Sequence, residues 1–345
     1  MPESLAEYER RVAELDALRD ANLRLQQQLR DAKARTDRLV EAAHIAARDA
    51  MLAVGPIVPI ERRTPDKRTK NAEVALWHLT DWQLGKITPS YNSATAQARV
   101  MEYCRKADRL TEIQRADHPV NNAVIMFGGD MVEGVSFQFP QQPFEIDSTL
   151  FEQYVVASRL MVDVVRYALG VYQKVTVVGE WGNHGRIGSK RDVVPRNDNI
   201  DRMAYHLARE ILVGETRLTW DDCPEDIQRI QIGNYRALLI HGDEIGRSGF
   251  ASPNTIVAHV ARWQSGAYNW TFQDCYGGHY HNHSSWSLPN GKGSFYQTGS
   301  VESENRYARD TMAAAAEPSQ RLHFVDPNRG RVTAEYKVFI RDHEQ

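Results

Sequence analysis

The 345-residue sequence is poor in the features that mark membrane, secreted or polyanion-coating proteins. Cysteine is scarce: Cys104, Cys223 and Cys275 are scattered, with neither a disulfide framework nor zinc spacing. That usage fits a reducing compartment, so a cytoplasmic protein is expected, in a host cytoplasm if the chain is phage-encoded. No apolar run approaches the roughly 20 residues needed to span a bilayer, so no membrane partner is expected. No secretory leader is read at the N-terminus, which is charged from Glu3 onward. Neither charge sign dominates: 42 Lys and Arg against 45 Asp and Glu leave a net charge of −3. A strongly basic nucleic-acid coat is thereby excluded, while a local basic patch is not. What is present, 42% hydrophobic and 25% charged residues, is the balance of a soluble globular protein.

Proline and glycine are also missing from residues 3–52, where Ala, Leu, Glu, Arg and Gln dominate. One long helix is expected there. Leu5, Tyr8, Val12, Leu15, Leu18, Asn22, Leu25, Leu29, Ala32, Thr36, Leu39 and Ala43 follow one another in steps of three and four, the spacing of a coiled-coil seam. Two successive steps of three meet at Leu15–Leu18, a stammer that overwinds the supercoil locally. Asn22 on an a-type position favours a parallel dimer in fixed register. A single amphipathic helix folded back on its own domain would leave a similar stripe. Residues 1–53 are thus read as an oligomerisation helix. Residues 54–72 carry Pro56, Pro59 and Pro65 with Arg62, Arg63, Lys67, Arg68 and Lys70, and read as a basic linker.

Residues 73–345 read as one catalytic domain. Strands at Val74–Leu79, Asn122–Phe127 and Lys174–Val178 alternate with helices over 94–115, 147–169 and 199–212, which argues for an α/β core. Beyond this, paired strands take over. Gly233-Asn234 joins Ile227–Ile232 to Tyr235–Ile240. Ser284–Leu288 with Ser294–Thr298, and Arg321–Val325 with Arg331–Phe339, read as further hairpins. The expected fold is a two-sheet β-sandwich flanked by helices, with the site along an edge where strands end.

The chemistry-bearing residues recur in one setting, an apolar strand running up to a polar cluster. Asp81 and Gln83 close the first, Asp130 the second, Asn183 and His184 the third and His241 a fourth, while His279, His281 and His283 come after Phe272–Tyr276. Carboxylate, amide oxygen and imidazole gathered at strand ends suit a pair of divalent cations. Taken singly, a Gly-Asp is usually a turn and a strand-end His a structural residue; the joint order carries the signal. His78 points to the strand face opposite Asp81 and reads as structural. Trp82, Trp181, Tyr280 and Tyr307 could stack on a base or simply pack.

In that order, Asp81-Trp82-Gln83, Gly129-Asp130-Met131-Val132-Glu133, Gly182-Asn183-His184, His241-Gly242-Asp243 and Gly278-His279-Tyr280-His281 resemble the calcineurin-like metallophosphoesterases, over roughly residues 73–340. Thr80–Lys86 looks most like the SbcD-type nuclease branch. Residues 182–186, 197–201 and 299–308 are similar to uncharacterised phage-encoded members with N-terminal coiled coils. The resemblance implies a four-layer fold and two divalent metals, manganese first, with magnesium, calcium or zinc as alternatives. It implies Asp81 and His281 on the first metal, Asp130 bridging, and Asn183, His241 and His279 on the second. His184 would serve the leaving oxygen, with Glu133 as its acidic partner. The implied activity is phosphodiester hydrolysis on nucleic acid, with a small-nucleotide phosphodiesterase, a phosphomonoesterase or a catalytically weak scaffold as the alternatives. Three departures stand out. Gln83 replaces the family's histidine and offers a harder, weaker donor. Gly185-Arg186 replaces an acid, and Arg186 with Lys190, Arg191 and Arg196 forms a basic loop suited either to phosphate oxygens or to solvent. The strands expected beyond His281 use most of the residues there, leaving little for the capping domain of SbcD-type nucleases.

Overall fold

The structure is a computed structural model that describes residues 60–61, 63–135, 142–187, 197–221, 227–245, 251–289, 291, 293–305, 309 and 317–341, with positions 19–20, 22–24, 26–27, 41, 44–45 and 48–49 of the N-terminal stretch. The chain divides into two compact units, Met1–Gly55 and Pro56–Gln345. The described positions of the first are all helical. Of the expected seam only Asn22 is among them, and its Oδ1 accepts from Gln26 Nε2 one turn further on, at 3.2 Å. The stammer and the remaining seam residues lie outside the described residues. Among the described residues no helix is long and apolar enough to cross a membrane.

Part of the basic stretch before the core is engaged by the second unit itself. Arg63 forks onto Glu112. The Asp66 amide donates to Asn121 Oδ1 at 2.9 Å, and Asn121 Nδ2 returns a bond to Asp66 O at 2.8 Å. Arg68 pairs with Asp66 and reaches the carbonyl of Arg115.

The second unit holds two sheets. The first has strand order β11-β10-β1-β2-β3-β4, built from β1 (Glu73–Leu79), β2 (Val120–Gly128), β3 (Lys174–Glu180), β4 (Leu218–Asp221), β10 (Ser319–Asp326) and β11 (Arg331–Phe339). The second runs β5-β6-β7-β9-β8, from β5 (Gln228–Ile232), β6 (Tyr235–Leu239), β7 (Asp274–Gly277), β8 (Ser284–Ser287) and β9 (Ser294–Gln297). Strands β1 to β4 are parallel, and β10 returns antiparallel beside β1. Helices α1 (Ser93–Arg115), α2 (Leu150–Val171) and α3 (Ile200–Ile211) lie on the first sheet, and α4 (Pro253–Arg262) packs beside β8 of the second. Helix, sheet, sheet and helix make the four expected layers.

Central strands are covered on both faces, which is why they read as near-continuous apolar runs. Leu76, Val124, Met126 and Val178 meet Ile230, Tyr235, Ala237, Leu239, Tyr276 and Tyr296 between the sheets. On the other face of β1, Trp77 packs edge-on against Tyr103 of α1 at 5.5 Å, and its Nε1 donates to Tyr172 OH at 3.1 Å. The helix starts are capped by side chains. Asn92 accepts from the Thr95 amide, Thr149 and Glu152 form a reciprocal capping box, and Ser252 precedes Pro253 at the first turn of α4.

Two features depart from the sequence expectation. Strand β4 and helix α4 were not foreseen. The three expected hairpins are present as β5–β6, β8–β9 and β10–β11, but the first two are joined by parallel pairing of β6, β7 and β9, which no hairpin pattern implied.

Trp77 is fully buried, so Trp77→Ala should cost about 3–5 kcal/mol of unfolding free energy. Urea denaturation followed by circular dichroism measures this, and a loss below about 1 kcal/mol would contradict the packing described.

Candidate metal centre

The parallel strands β1, β2 and β3 of the first sheet and β6 and β7 of the second all discharge at one edge. Crevices outside the carboxyl ends of such strands are where open sheets bind ligands. The two sets of loops are stitched together. The Asp81 amide donates to Gly129 O at 3.0 Å, Gly278 N to His241 O at 2.8 Å, and the His279 amide to both Asp81 oxygens at 3.0 and 3.1 Å. His241 Nδ1 lies 2.8 Å from Gly128 O, so it carries the proton and leaves Nε2 facing the site.

The backbone is bent sharply to achieve this. Among the described residues seven non-glycine residues have positive φ, and five of them are Asp81 (52°), Gln83 (48°), Asp130 (52°), His279 (67°) and His281 (53°). Left-handed backbone in such residues costs roughly 1–3 kcal/mol each and collects where function demands it. Glycine makes the loops fit. A Cβ on Gly182 would fall 2.0 Å from Asp130 Oδ1 and 2.3 Å from the Asp130 amide.

The structure brings the seven expected metal residues to one place. Ligand atoms of Asp130, His241 and His279 lie within 4.8 Å of one another. His241 Nε2 is 3.1 Å from Asp130 Oδ2. Asn183 is buried between Gly182, which presses on Asp130, and His184, whose amide donates to Asp130 Oδ1 at 2.8 Å. On the other side His281 Nε2 sits 3.2 Å from Asp81 Oδ1, and Gln83 Nε2 donates to Asp130 Oδ2 at 3.3 Å. Asp130 therefore stands between the two groups.

These residues fit divalent cations. Gln83 Oε1 and His279 Nε2 are buried and have no hydrogen-bond partner. An unmet buried acceptor costs about 1–3 kcal/mol, and a cation would satisfy both. Burial opposes the Asp130 charge, yet His241 and then His184 hold its carboxyl well below the usual range. Burial and then His241 push His279 down to about 4, the neutral form that ligates. His281 is buried too, but Glu302 and then Asp81 outweigh burial and push it up to about 10, so ligation there would release a proton. Oxygen donors from Asp81, Gln83, Asp130 and Asn183 make the set suit harder ions.

His184 lies beside this cluster. Its Nδ1 is 2.9 Å from Glu133 O and 3.5 Å from Glu133 Oε2, and its Nε2 is 3.9 Å from Asp130 Oδ2. Arg186 is placed differently from the expected phosphate grip: its guanidinium pairs with Asp243 Oδ2. Lys190, Arg191 and Arg196 lie outside the described residues, as does Tyr307. His78 is buried with Nδ1 2.7 Å from Thr298 Oγ1. His283 is governed by burial and by Arg321, which push it down to about 3. Trp82, Trp181 and Tyr280 are core residues, so packing, not stacking on a base, is their role.

Four supporting residues were not singled out from the sequence. Glu302 takes His281 Nδ1. Buried Lys86 pairs with Glu302 and Glu133. Asp201 accepts amides from Asp130, Met131, Val132 and Gly182 at 2.9–3.4 Å, tying the loops after β2 and β3 together. Burial and then Asp130 raise its carboxyl to about 7. Asn199 Nδ2 donates to Gly182 O at 2.8 Å. An acid at a helix start was the available signal for Asp201; nothing local marks Glu302.

The architecture is the expected two-sheet sandwich flanked by helices. No protein-family model matches the chain, and no curated relative is matched by sequence. Among solved structures, the chain is similar to zinc-complexed Vps29 of Entamoeba histolytica at 12% identity, covering 76% of this chain and 98% of that one, with a TM-score of 0.35. It is similar to an uncharacterised predicted phosphoesterase of Streptococcus pneumoniae at 13%, covering 77% and 98%, with a TM-score of 0.27. It is similar to the sulfate thiohydrolase SoxB of Thermus thermophilus at 11%, covering 81% of this chain and 59% of that one, with a TM-score of 0.32.

The close approach at Gly182 predicts that Gly182→Ala displaces Asp130. Manganese titration by calorimetry should show at least one site weakened tenfold or more, on the order expected for disturbed ligand support; wild-type affinities at both sites would contradict the geometry.

Proposed function

We propose that the chain is a metal-dependent phosphoester hydrolase whose substrate is a nucleic-acid phosphodiester. The hydrolase reading is carried by one observation: a proton-carrying imidazole, His184, stands at the edge of a buried ligand set for two cations. Asp81, Gln83, Asp130 and His281 would hold one ion, and Asp130, Asn183, His241 and His279 the other. Ions held there would supply an activated water and neutralise phosphoryl charge. The oxygen donors favour manganese or magnesium over zinc.

The chain's own groups account for the rest. The Glu133 carbonyl accepts from His184 Nδ1, which fixes the ring with Nε2 towards the site. As the water oxygen bonds to phosphorus, the bond from phosphorus to the leaving oxygen breaks, and that oxygen takes the Nε2 proton. The nucleic-acid part of the proposal is supported by the likeness of Thr80–Lys86 to the SbcD-type branch.

Hydrolysis of an aryl phosphodiester with manganese tests the reaction class. Asp130→Ala should abolish it. His184→Ala should lose about 100-fold or more on DNA, as removal of a general acid does. Retained activity in both variants would contradict these roles. A panel of single- and double-stranded DNA, RNA, cyclic nucleotides and phosphomonoesters separates substrates; cleavage of small nucleotides alone would overturn the nucleic-acid assignment.

A further inference from the structure

One buried ammonium links two parts of the centre that sit on different loops. Lys86 is three residues beyond Gln83, and its amide closes the turn by donating to Gln83 O at 3.0 Å. Its side chain is only 2% exposed. The ammonium lies 3.2 Å from Glu302 Oε2 and 3.8 Å from Glu133 Oε2. Each carboxylate uses its remaining capacity on the site. Glu302 Oε1 takes Nδ1 of His281 and Nδ2 of Asn305, the latter at 2.6 Å. Glu133 faces Nδ1 of His184 at 3.5 Å and takes Gln142 Nε2 at 3.1 Å.

We propose that Lys86 is a positioning residue for both halves of the centre: it clamps Glu133 and Glu302, and through them orients His184 and His281. The inference rests on the hydrolase reading and adds to it a single cation that serves ligand support and leaving-group chemistry together. The physical reason is the proximity of two buried carboxylates of like charge. Left alone they would repel, and one would turn away or lose its charge. Burial opposes the Lys86 charge, yet Glu133 and Glu302 outweigh it and hold the ammonium firmly protonated. With the clamp in place, Glu302 fixes the Nδ1–H form of His281, whose Nε2 then faces the first cation, as partners of ligating histidines do. His184 Nδ1–H bonds the Glu133 carbonyl at 2.9 Å, and the clamped Glu133 carboxylate holds its charge beside that ring at 3.5 Å, with Nε2 towards the leaving oxygen. In a purely structural ion pair, loss of Lys86 would cost stability through the uncompensated carboxylates but would leave the leaving-group dependence unchanged.

The test compares wild type, Lys86→Met and Lys86→Arg in two measurements. Calorimetric titration with manganese chloride reads the two metal affinities. Hydrolysis of aryl phosphodiesters of increasing leaving-group basicity reads the proton delivered by His184. Lys86→Met should weaken one manganese site about tenfold. It should also lose more kcat for basic leaving groups than for nitrophenolate, with KM little changed, and Lys86→Arg should recover part of both. Wild-type metal affinities together with a wild-type leaving-group dependence in Lys86→Met would overturn the proposal. Should Lys86→Met fail to fold, the double variant Lys86→Met with Glu133→Gln removes one charge of each sign. It should be no more leaving-group sensitive than Glu133→Gln alone, while its manganese site stays weak; simple additivity would overturn the proposal. A wild type that binds two manganese ions but cleaves no ester contradicts the hydrolase reading alone, and the titrations then decide the role of Lys86. A wild type that binds no manganese overturns both.

Discussion

Five carboxylates, Asp81, Asp130, Glu133, Asp201 and Glu302, are buried around one edge of the two sheets. Like charges packed this closely in a poorly solvated place repel strongly unless cations or hydrogen-bond donors answer them. The local structure is organised around that answer. Asp201 is met by four backbone amides. Glu133 and Glu302 share Lys86 and each backs an imidazole. Asp81 and Asp130 take the His279 and His184 amides and face the two positions where cations would fit. Gln83 Oε1 and His279 Nε2, buried there, have no hydrogen-bond partner.

The same constraint explains the backbone. A strand ending in ordinary extended geometry would carry its polar side chains past the edge, not into the crevice. The left-handed turns at Asp81, Gln83, Asp130, His279 and His281 fold them back. The surrounding sheets supply the rigidity that holds such turns, with Trp77, Tyr103 and Tyr172 locking β1 against its helices. Core packing, strained loops and buried charge thus form one chain of dependence that ends at the buried carboxylate and imidazole cluster, with His184 beside it.

The sequence made the central part of this legible because covered parallel strands are apolar on both faces. β1, β2 and β3 stand out for that reason, and each is followed by its polar cluster. The Gly233-Asn234 turn also left a local mark, with Ile232 opposite Tyr235. Other parts were hidden for physical reasons. β4 has only four residues, alternates half-buried with exposed positions and forms a sheet edge, so it carries little pattern. α4 begins with Ser252-Pro253, a readable start that the strand-rich surroundings obscured. The parallel pairing of β6, β7 and β9 depends on crossovers that no local pattern specifies. At the site the ligand types were legible from order and spacing. The supports were not: Glu302 lies more than two hundred residues from Lys86, and only folding brings them together. Arg186 looked suited to phosphate by type, yet Asp243 reaches it first.

The central claim is that Asp130 stands between two cation positions. Manganese-soaked crystals measured for anomalous scattering test it most directly. Two peaks should appear about 3.5–4 Å apart, both within coordination distance of Asp130, one beside Asp81 and His281 and the other beside His241 and His279. A single peak, or peaks that leave Asp130 uncoordinated, would contradict it.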